Sequence, residues 1–252
     1  MATAVTGLLL VAGVAFAAHT VVVTPANTQG FSTADTRPGG EVNYVSDPSS
    51  PYPSGALQLK TDETTTAKAQ YLKETSTPLS TVDELGYSAK QNEGPVHADP
   101  SYQLLVDLNG AATGGFTTFV YEPYQNGVVT PDVWQQWDVD AGQMWSSRSF
   151  TEETCVVIAG GGGAPFYTLT GLQAICPNAV VVGFGVNIGS NNPGYDVYTD
   201  GVNFNGTVYD FELANEPKSK DDCKKDGYKD MTDENGQAFK NQGQCVSYFN
   251  QI

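Results

Sequence analysis

The sequence contains few basic residues for its length. Its 252 residues include 12 lysines and arginines against 28 aspartates and glutamates, so the formal charge is −16 at pH 7. Nucleic-acid binding depends on neutralising phosphates with lysine and arginine. The acidic composition therefore argues against a nucleic-acid partner and against an anionic membrane surface, and it fits an extracellular protein that binds cations.

Several motifs of catalytic and metal sites are also missing. His19 and His97 are the only histidines, and the four cysteines include no C-x-x-C pair, which argues against zinc and against a nucleophile with a histidine base. The glycines at 160–163 lack the Gly-Lys-Ser/Thr that completes a phosphate loop. This run instead indicates a flexible loop that could form the rim of a binding site.

The N-terminal segment, residues 1–18, is predicted to be a secretory signal peptide. An apolar run from Leu8 to Phe16 ends in small residues, and residues 15–17 match an A-x-A cleavage site. The positive residues that usually precede such a run are missing, as expected if the start is truncated or misassigned. A buried strand or a retained membrane anchor are the alternatives, but the run is shorter than the ~20 residues that span a bilayer. We expect no membrane span in the mature chain.

The cysteines and the charge distribution divide the rest of the chain. Three pairings are possible, and Cys155–Cys176 with Cys223–Cys245 is favoured because each bond closes a modest loop. Disulfides in turn favour export. Residues 1–213 hold 21 acids and 6 bases, whereas 214–252 hold 7 acids and 6 bases. We therefore predict one domain over 19–213 and a small Cys-bounded C-terminal module over 214–252.

Most segments of the larger domain alternate apolar and polar residues, the pattern of half-buried antiparallel strands. In the strongest of them, Val180, Val182, Phe184, Val186 and Ile188 are predicted to share one face, opposite Val181, Gly183, Gly185 and Asn187. One helix is predicted over 165–177. The fold class predicted is an all-β, antiparallel jelly-roll β-sandwich with one short helix, plus a disulfide-stapled C-terminal module. The predicted strands are 41–45, 55–61, 101–110, 116–127, 133–142 and 179–189.

Three of these stretches carry a resemblance to known folds. "GALQLKT" (55–61), "WQQWDVDAG" (134–142) and "YDVYTDGVNF" (195–204) resemble the jelly rolls of carbohydrate-binding modules, of concanavalin-like or galactose-binding-like type. Residues 24–252 are also similar to a group of uncharacterised secreted actinobacterial proteins that share a short Cys-bounded C-terminal segment. The resemblance implies a jelly roll and an extracellular glycan as partner. It implies no particular activity.

The resemblance also implies a structural calcium ion. In such modules an aspartate of the final strand often binds Ca²⁺ together with carbonyl groups of the N-terminal region, and this role falls on Asp200, with Asp35 or Asp62 as distant partners. Asp196 shares the strand face of Asp200 but lies about 13 Å away, so the two need not bind one ion. The alternative is that Asp200 caps the turn before Gly201.

Aromatic rings that stack on sugars, together with amides that bond their hydroxyl groups, give a second candidate site. The alternative is that these aromatic side chains fill the core of the sandwich. The candidate carbohydrate-binding residues are Tyr121, Tyr124, Trp134, Trp145, Asn187 and Tyr198.

Carboxylates form a third, weaker candidate. Asp138 and Asp140 lie two residues apart on one strand face, about 6.6 Å along its axis, a separation found in inverting glycosidases. Glu122 is a further candidate. Alternating acids are also the usual solvated face of a strand, and the E-x-D-x-x-E signature of laminarinase-like jelly rolls is missing.

The sequence therefore predicts a secreted, non-catalytic binding or cell-surface protein, with carbohydrate as its ligand and calcium as a structural cofactor. Two alternatives remain: a glycoside hydrolase acting on an extracellular polysaccharide, and a structural surface or matrix protein.

Overall fold

A computed structural model describes residues 19–52, 54–95, 98–110, 114–234 and 236–252. The predicted signal peptide and His97 lie outside these ranges. The described chain is built mainly of short strands joined by turns. The strands are β1 (His19–Val23), β2 (Phe31–Ser32), β3 (Gly40–Ser46), β4 (Gly55–Thr61), β5 (Ala69–Pro78), β6 (Leu85–Glu93), β7 (Ser101–Asp107), β8 (Phe116–Tyr121), β9 (Gln135–Asp138), β10 (Met144–Ser146), β11 (Phe150–Glu152), β12 (Cys155–Val157), β13 (Phe166–Tyr167), β14 (Val180–Ile188), β15 (Asp196–Phe204) and β16 (Thr207–Phe211).

Two seven-stranded sheets pack face to face, and β11 and β12 form a separate pair. In the first sheet β6 pairs along β15 from Asp196 to Phe204 and carries β9 on its other side. The rest of this sheet has the order β1-β16-β15-β4-β3. The second sheet has the order β13-β10-β8-β7-β14-β5-β2. The named strands pair antiparallel except β1 with β16, and the predicted jelly-roll β-sandwich is confirmed.

The core lies between the inner faces of the two sheets. On β7, Tyr102, Leu104 and Val106 are fully buried there, as their alternation predicts. The prediction for β14 was wrong at its start, because Val181 and not Val182 belongs to the core. The register of β14 shifts between Val181 and Gly183 against both neighbours. Such a bulge inserts one residue and so exchanges the two faces of the strand.

The predicted helix is present as α2 (Leu169–Ile175), and the Thr168 side chain caps it by accepting a hydrogen bond of 3.1 Å from the Gly171 amide. Two further helices were not predicted. The first, α1 (Pro123–Asn126), is a single turn after β8, so the strand predicted over 116–127 ends at Tyr121. The second, α3 (Gln242–Phe249), lies in the C-terminal region. Among the described residues, none of the helices has the length and apolar character needed to cross a membrane.

Both predicted disulfides are present, Cys155–Cys176 and Cys223–Cys245. The second lies in a small core of its own, where Cys223, Phe239 and Cys245 are buried apart from the core of the sandwich. One hydrogen bond between the two regions runs from Asn27 Nδ2 to Asp230 Oδ1, at 2.8 Å. The boundary after residue 213 stays a prediction, and it falls between these two cores.

Candidate functional site

A cleft of about 730 Å³ crosses the outer face of the second sheet. Its floor is made by side chains that alternate with core residues along β7, β8, β10 and β14. On β8, for example, Phe119 points into the core, and Thr118 and Val120 line the cleft. Trp145 of β10 and Asn187 of β14 also line it. Because side chains alternate between the two faces of each strand, the half-buried indole of Trp145 lies among polar and small side chains.

Helix α1 and the glycine loop form the rim of this cleft. Tyr124 of α1 keeps 50% of its surface exposed, and Gly161 and Gly162 lie among the lining residues. Gly160 passes close to Trp145, since a β-carbon at position 160 would lie 2.9 Å from that of the tryptophan. The loop that the sequence indicated as a rim is therefore found at the rim.

The structure divides the predicted carbohydrate-binding residues. Tyr124, Trp145 and Asn187 line the cleft, and the Asn187 amide is fixed by donating a hydrogen bond of 3.1 Å to Gln70 Oε1. Tyr121 does not line it. This ring is 2% exposed and belongs to the core.

Trp134 and Tyr198 lie elsewhere, against Lys90 of the first sheet. The Lys90 ammonium lies 5.4 Å from the ring centre of Trp134 and 4.9 Å from that of Tyr198. The same ammonium forms an ion pair with Asp47. Burial acts to raise the pKa of Asp47, but the bonds from Lys90 and Ser49 outweigh burial and hold it at about 2. Both rings are thus engaged within the protein.

Two carboxyl groups line the cleft, and one of them was not predicted. Burial raises the pKa of Asp99 to about 6, although its Oδ2 accepts a hydrogen bond of 2.9 Å from Trp137 Nε1. Burial raises the pKa of Glu122 to about 7, and the Trp145 side chain acts in the opposite direction. Asp99 lies two residues before β7, in a connecting segment whose sequence does not indicate burial.

Asp138 and Asp140 do not share a site with Glu122. They line a second cleft, of about 540 Å³, formed by β6, β9 and β15 of the first sheet. Asp140 Oδ1 accepts a hydrogen bond of 2.9 Å from the Leu85 amide. Burial, followed by the charge of Asp138, raises the pKa of Asp140.

Asp200 lies at the position where β15 changes from one neighbouring strand to another. Along one edge of β15, β4 pairs with residues 196–199 and β16 with residues 202–204. Between them Asp200 Oδ1 accepts hydrogen bonds from the amides of Gly201 (2.8 Å) and Phe211 (2.9 Å), and Oδ2 accepts one from Ser50 Oγ. Burial raises its pKa to about 8. The carboxyl thus satisfies donors that the strands leave unpaired.

Asp196 is placed separately, on the outer face of β15, where its side chain is 14% exposed. Gln58 Nε2 donates to both of its oxygens at 2.9 Å, and Lys60 lies 3.4 Å from Oδ2. Within the ranges that the structure describes, no three acidic, histidine or cysteine side chains are grouped as a metal site. Calcium therefore stays a prediction at both aspartates.

Three cations line the cleft, although no sequence pattern groups them. They are Arg37, before β3, Lys68, directly before β5, and Arg148, after β10. Arg37 and Lys68 face each other in an antiparallel bridge, in which the Arg37 amide donates to the Lys68 carbonyl at 2.9 Å. Burial lowers the pKa of Lys68, and the charge of Arg37 adds to this effect.

No protein-family model matches the chain, and no curated protein matches it either. Solved structures similar to it include two of low sequence identity. The family 11 carbohydrate-binding module from Clostridium thermocellum, in complex with a β-1,3-1,4-mixed-linked tetrasaccharide, is 10% identical, with a TM-score of 0.39 over 73% of this chain and 90% of that one. A protein from Bacteroides thetaiotaomicron with a provisional sugar-binding description is 13% identical, with a TM-score of 0.39 over 74% and 92%.

Proposed function

We propose that this protein binds carbohydrate in the cleft on the second sheet. The observation that carries the proposal is the position of Trp145, half-buried on the floor of a cleft whose other lining is largely polar. A sugar ring offers an apolar face to an indole and hydroxyl groups to amides, and Asn187 and Gln103 lie on the same floor. A cleft of this volume is within the usual range for ligand sites.

Two tryptophan variants test this proposal. Trp145→Ala should weaken binding of a glycan found on an array by about 30-fold, the ~2 kcal/mol expected of a central contact residue. Trp134→Ala is the matched control, because its ring packs on Lys90 of the other sheet. Calorimetric titration of both variants gives the comparison. The proposal fails if no glycan binds, or if Trp134→Ala and not Trp145→Ala abolishes binding.

Glycoside hydrolysis in the same cleft is the second candidate function. Glu122 and Asp99 both line it, and burial raises the pKa of each into the range of a general acid at neutral pH. Release of reducing sugar from a bound glycan would establish the activity. Glu122→Gln and Asp99→Asn should then abolish it, whereas Asp138→Asn in the second cleft should not.

Structural calcium at Asp200 is a further part of the proposal. Asp200 is buried, and the charge of neighbouring Asp210 opposes its ionisation. The charge of Glu212 in turn opposes the ionisation of Asp210. A cation among these groups would relieve that repulsion. However, the hydrogen bonds at Asp200 already use both of its oxygens. Ca²⁺ should raise the melting temperature relative to EDTA, and an unchanged melting temperature excludes a structural ion.

Export from the cell completes the proposal. Two disulfides are compatible with an oxidising compartment. Expression of the chain with residues 1–18 should place the protein outside the cell. Mass spectrometry of its N-terminus should give a mature chain that begins close to residue 18, and retention inside the cell would contradict export.

A further inference from the structure

The charge of the cleft differs from that of the rest of the molecule. Residues 19–213 contain 21 acids and 6 bases. The cleft is lined by three of these bases, Arg37, Lys68 and Arg148, and by two of the acids, Asp99 and Glu122. The first and last of the three are the only arginines in the chain. Half of the bases of this region therefore line one cleft, where a bound ligand would contact them.

These cations are not neutralised by the protein. Among the described residues, none of the three lies within ion-pair distance of a carboxylate, although four other lysines do. The Arg148 guanidinium instead packs 5.3 Å from the ring centre of Phe116. Asp35 is the acid whose charge acts on Lys68, and it does so from an exposed position.

The pairing of Arg37 with Lys68 is unfavourable without a ligand. The two residues oppose each other across an antiparallel bridge, and like charges in that arrangement destabilise a sheet. A bound anion would attract both cations and so offset this repulsion. Arginine is suited to the task because its planar guanidinium can bind a carboxylate or sulfate through two parallel hydrogen bonds.

The cations also lie at opposite ends of the cleft. Lys68 directly precedes β5, and Arg148 follows β10. Four strand-to-strand steps separate β5 from β10 in the second sheet, which is roughly 19 Å at the usual strand spacing. A single small anion cannot bridge this distance, whereas a chain of sugars with repeated charges can. Trp145 lies on β10, at the same end of the cleft as Arg148.

We propose that the ligand of this cleft is an anionic polysaccharide, whose carboxylate or sulfate groups are bound by Arg37 with Lys68 at one end and by Arg148 at the other. The inference rests on the proposed carbohydrate binding and names the class of glycan. Trp145 supplies the contact with the sugar ring, and the cations select a charged chain over a neutral one.

The test compares polymers that differ only in charge. Polygalacturonate and alginate are titrated against the full chain beside the same polymers after reduction of their carboxyl groups, and sulfated glycans are titrated beside their desulfated forms. The charged polymer of one pair should bind at least tenfold more tightly than its neutral form. Tight binding of a uronate or of a sulfated glycan distinguishes the two sources of negative charge.

Variants then assign the effect to the cleft. Arg37→Gln, Lys68→Gln and Arg148→Gln should each weaken binding of the charged polymer about 3- to 10-fold and leave the neutral polymer unaffected. Lys224→Gln is the matched control, because it removes the same charge from the C-terminal region, where Lys224 pairs with Asp221. Equal loss in Lys224→Gln would attribute binding to overall charge and overturn the inference.

The remaining outcomes separate the two proposals. Equal binding of charged and neutral polymers overturns the anionic class and retains carbohydrate binding. Failure of every polymer and of the glycan array overturns both. Binding of a single-stranded oligonucleotide as tight as that of the polysaccharide, and unchanged in Trp145→Ala, would show a response to negative charge alone and would also overturn the inference.

Discussion

Gln125 Nε2 donates a hydrogen bond of 2.7 Å to the carbonyl oxygen of Gly162, and so joins helix α1 to the glycine loop at the rim of the cleft. Gly161 and Gly162 have positive φ angles, and a β-carbon at either would meet no other atom within 4 Å. The tip of the loop therefore has little packing of its own. This hydrogen bond holds the tip, while the Gly160 amide holds the start of the loop by donating to the Ser146 carbonyl at 2.9 Å.

Gln125→Ala should weaken glycan binding about 3- to 10-fold, because one hydrogen bond contributes roughly 0.5–1.5 kcal/mol. The melting temperature should change little, since the contact lies at the surface. Titration calorimetry and thermal unfolding measure the two effects. Gln251→Ala is the control, as its side chain bonds only Ser247 near the C-terminus. A large fall in melting temperature with unchanged affinity would contradict a role in the rim.

The two disulfides should contribute to different parts of the molecule. All three tryptophans belong to the sandwich, so tryptophan fluorescence in urea reports on that region alone. Replacing Cys155 and Cys176 with serine should lower the free energy of unfolding measured in this way by ~2–4 kcal/mol. The same change at Cys223 and Cys245 should leave the fluorescence transition in place and increase proteolysis of the C-terminal region. A shift of equal size in both double variants would show instead that the two regions unfold together.

Strand positions were predictable because alternation and turn residues are local properties. The predicted strand at 55–61 coincides with β4, and the segment 179–189 contains β14. The bulge in β14 was not predictable, since residues 180–182 are three consecutive valines. An apolar run carries no information about which side chain faces the core, and the bulge is set by pairing with β5 and β7.

The site was less predictable than the fold for a related reason. Alternation assigns an aromatic residue to one of two strand faces but does not identify the sheet to which the strand belongs. Trp134 and Trp145 are 11 positions apart, but Trp134 directly precedes β9 of the first sheet and Trp145 lies on β10 of the second. Lys68 and Arg148 line the same cleft because of the strand order of the second sheet, and Arg37 joins them through its bridge to Lys68. No local pattern specifies either arrangement.

The glycines of β14 serve packing between strands, a role that the sequence could not distinguish from approach of a ligand. At Gly185, which has φ +150°, a β-carbon would meet the Tyr71 carbonyl oxygen and would lie 3.0 Å from the Leu72 α-carbon. Gly185→Ala should therefore lower the free energy of unfolding by several kcal/mol, the combined cost of strain and overpacking.

Gly162→Ala provides the comparison for this effect. Its φ is +96°, but a β-carbon there has open space, so the cost should be limited to backbone strain of ~1–3 kcal/mol. Urea unfolding of both variants measures the difference. If Gly185→Ala were as well tolerated as Gly162→Ala, close packing of β5 against Gly185 would be contradicted.

Stability should fall as pH rises from about 4 to 8. Burial raises the pKa of Asp99 to about 6, of Glu122 and Asp210 to about 7, and of Asp200 to about 8. The folded state therefore binds more protons than the unfolded state over this range, in which unfolded carboxyl groups are ionised. Their stabilising contribution is complete below pH 4 and is lost as pH rises through the folded pKa values. Thermal unfolding in EDTA between pH 4.5 and 8.5 measures the slope.

Asp200→Asn tests how much of the pH dependence of stability near pH 8 is due to the Asp200 carboxyl. Its amide oxygen can still accept from Gly201 and Phe211, and its nitrogen can donate to Ser50 Oγ, so the hydrogen bonds are kept without the need to bury a charge. The variant should melt above the wild type at pH 8.5 by several degrees and differ little at pH 5. Glu153→Gln, at an exposed position, removes one charge from the surface and controls for the net charge of −16. A melting temperature that stays constant between pH 5 and 8, or an Asp200→Asn variant that loses stability at both ends, would mean that Asp200 is ionised in the folded protein.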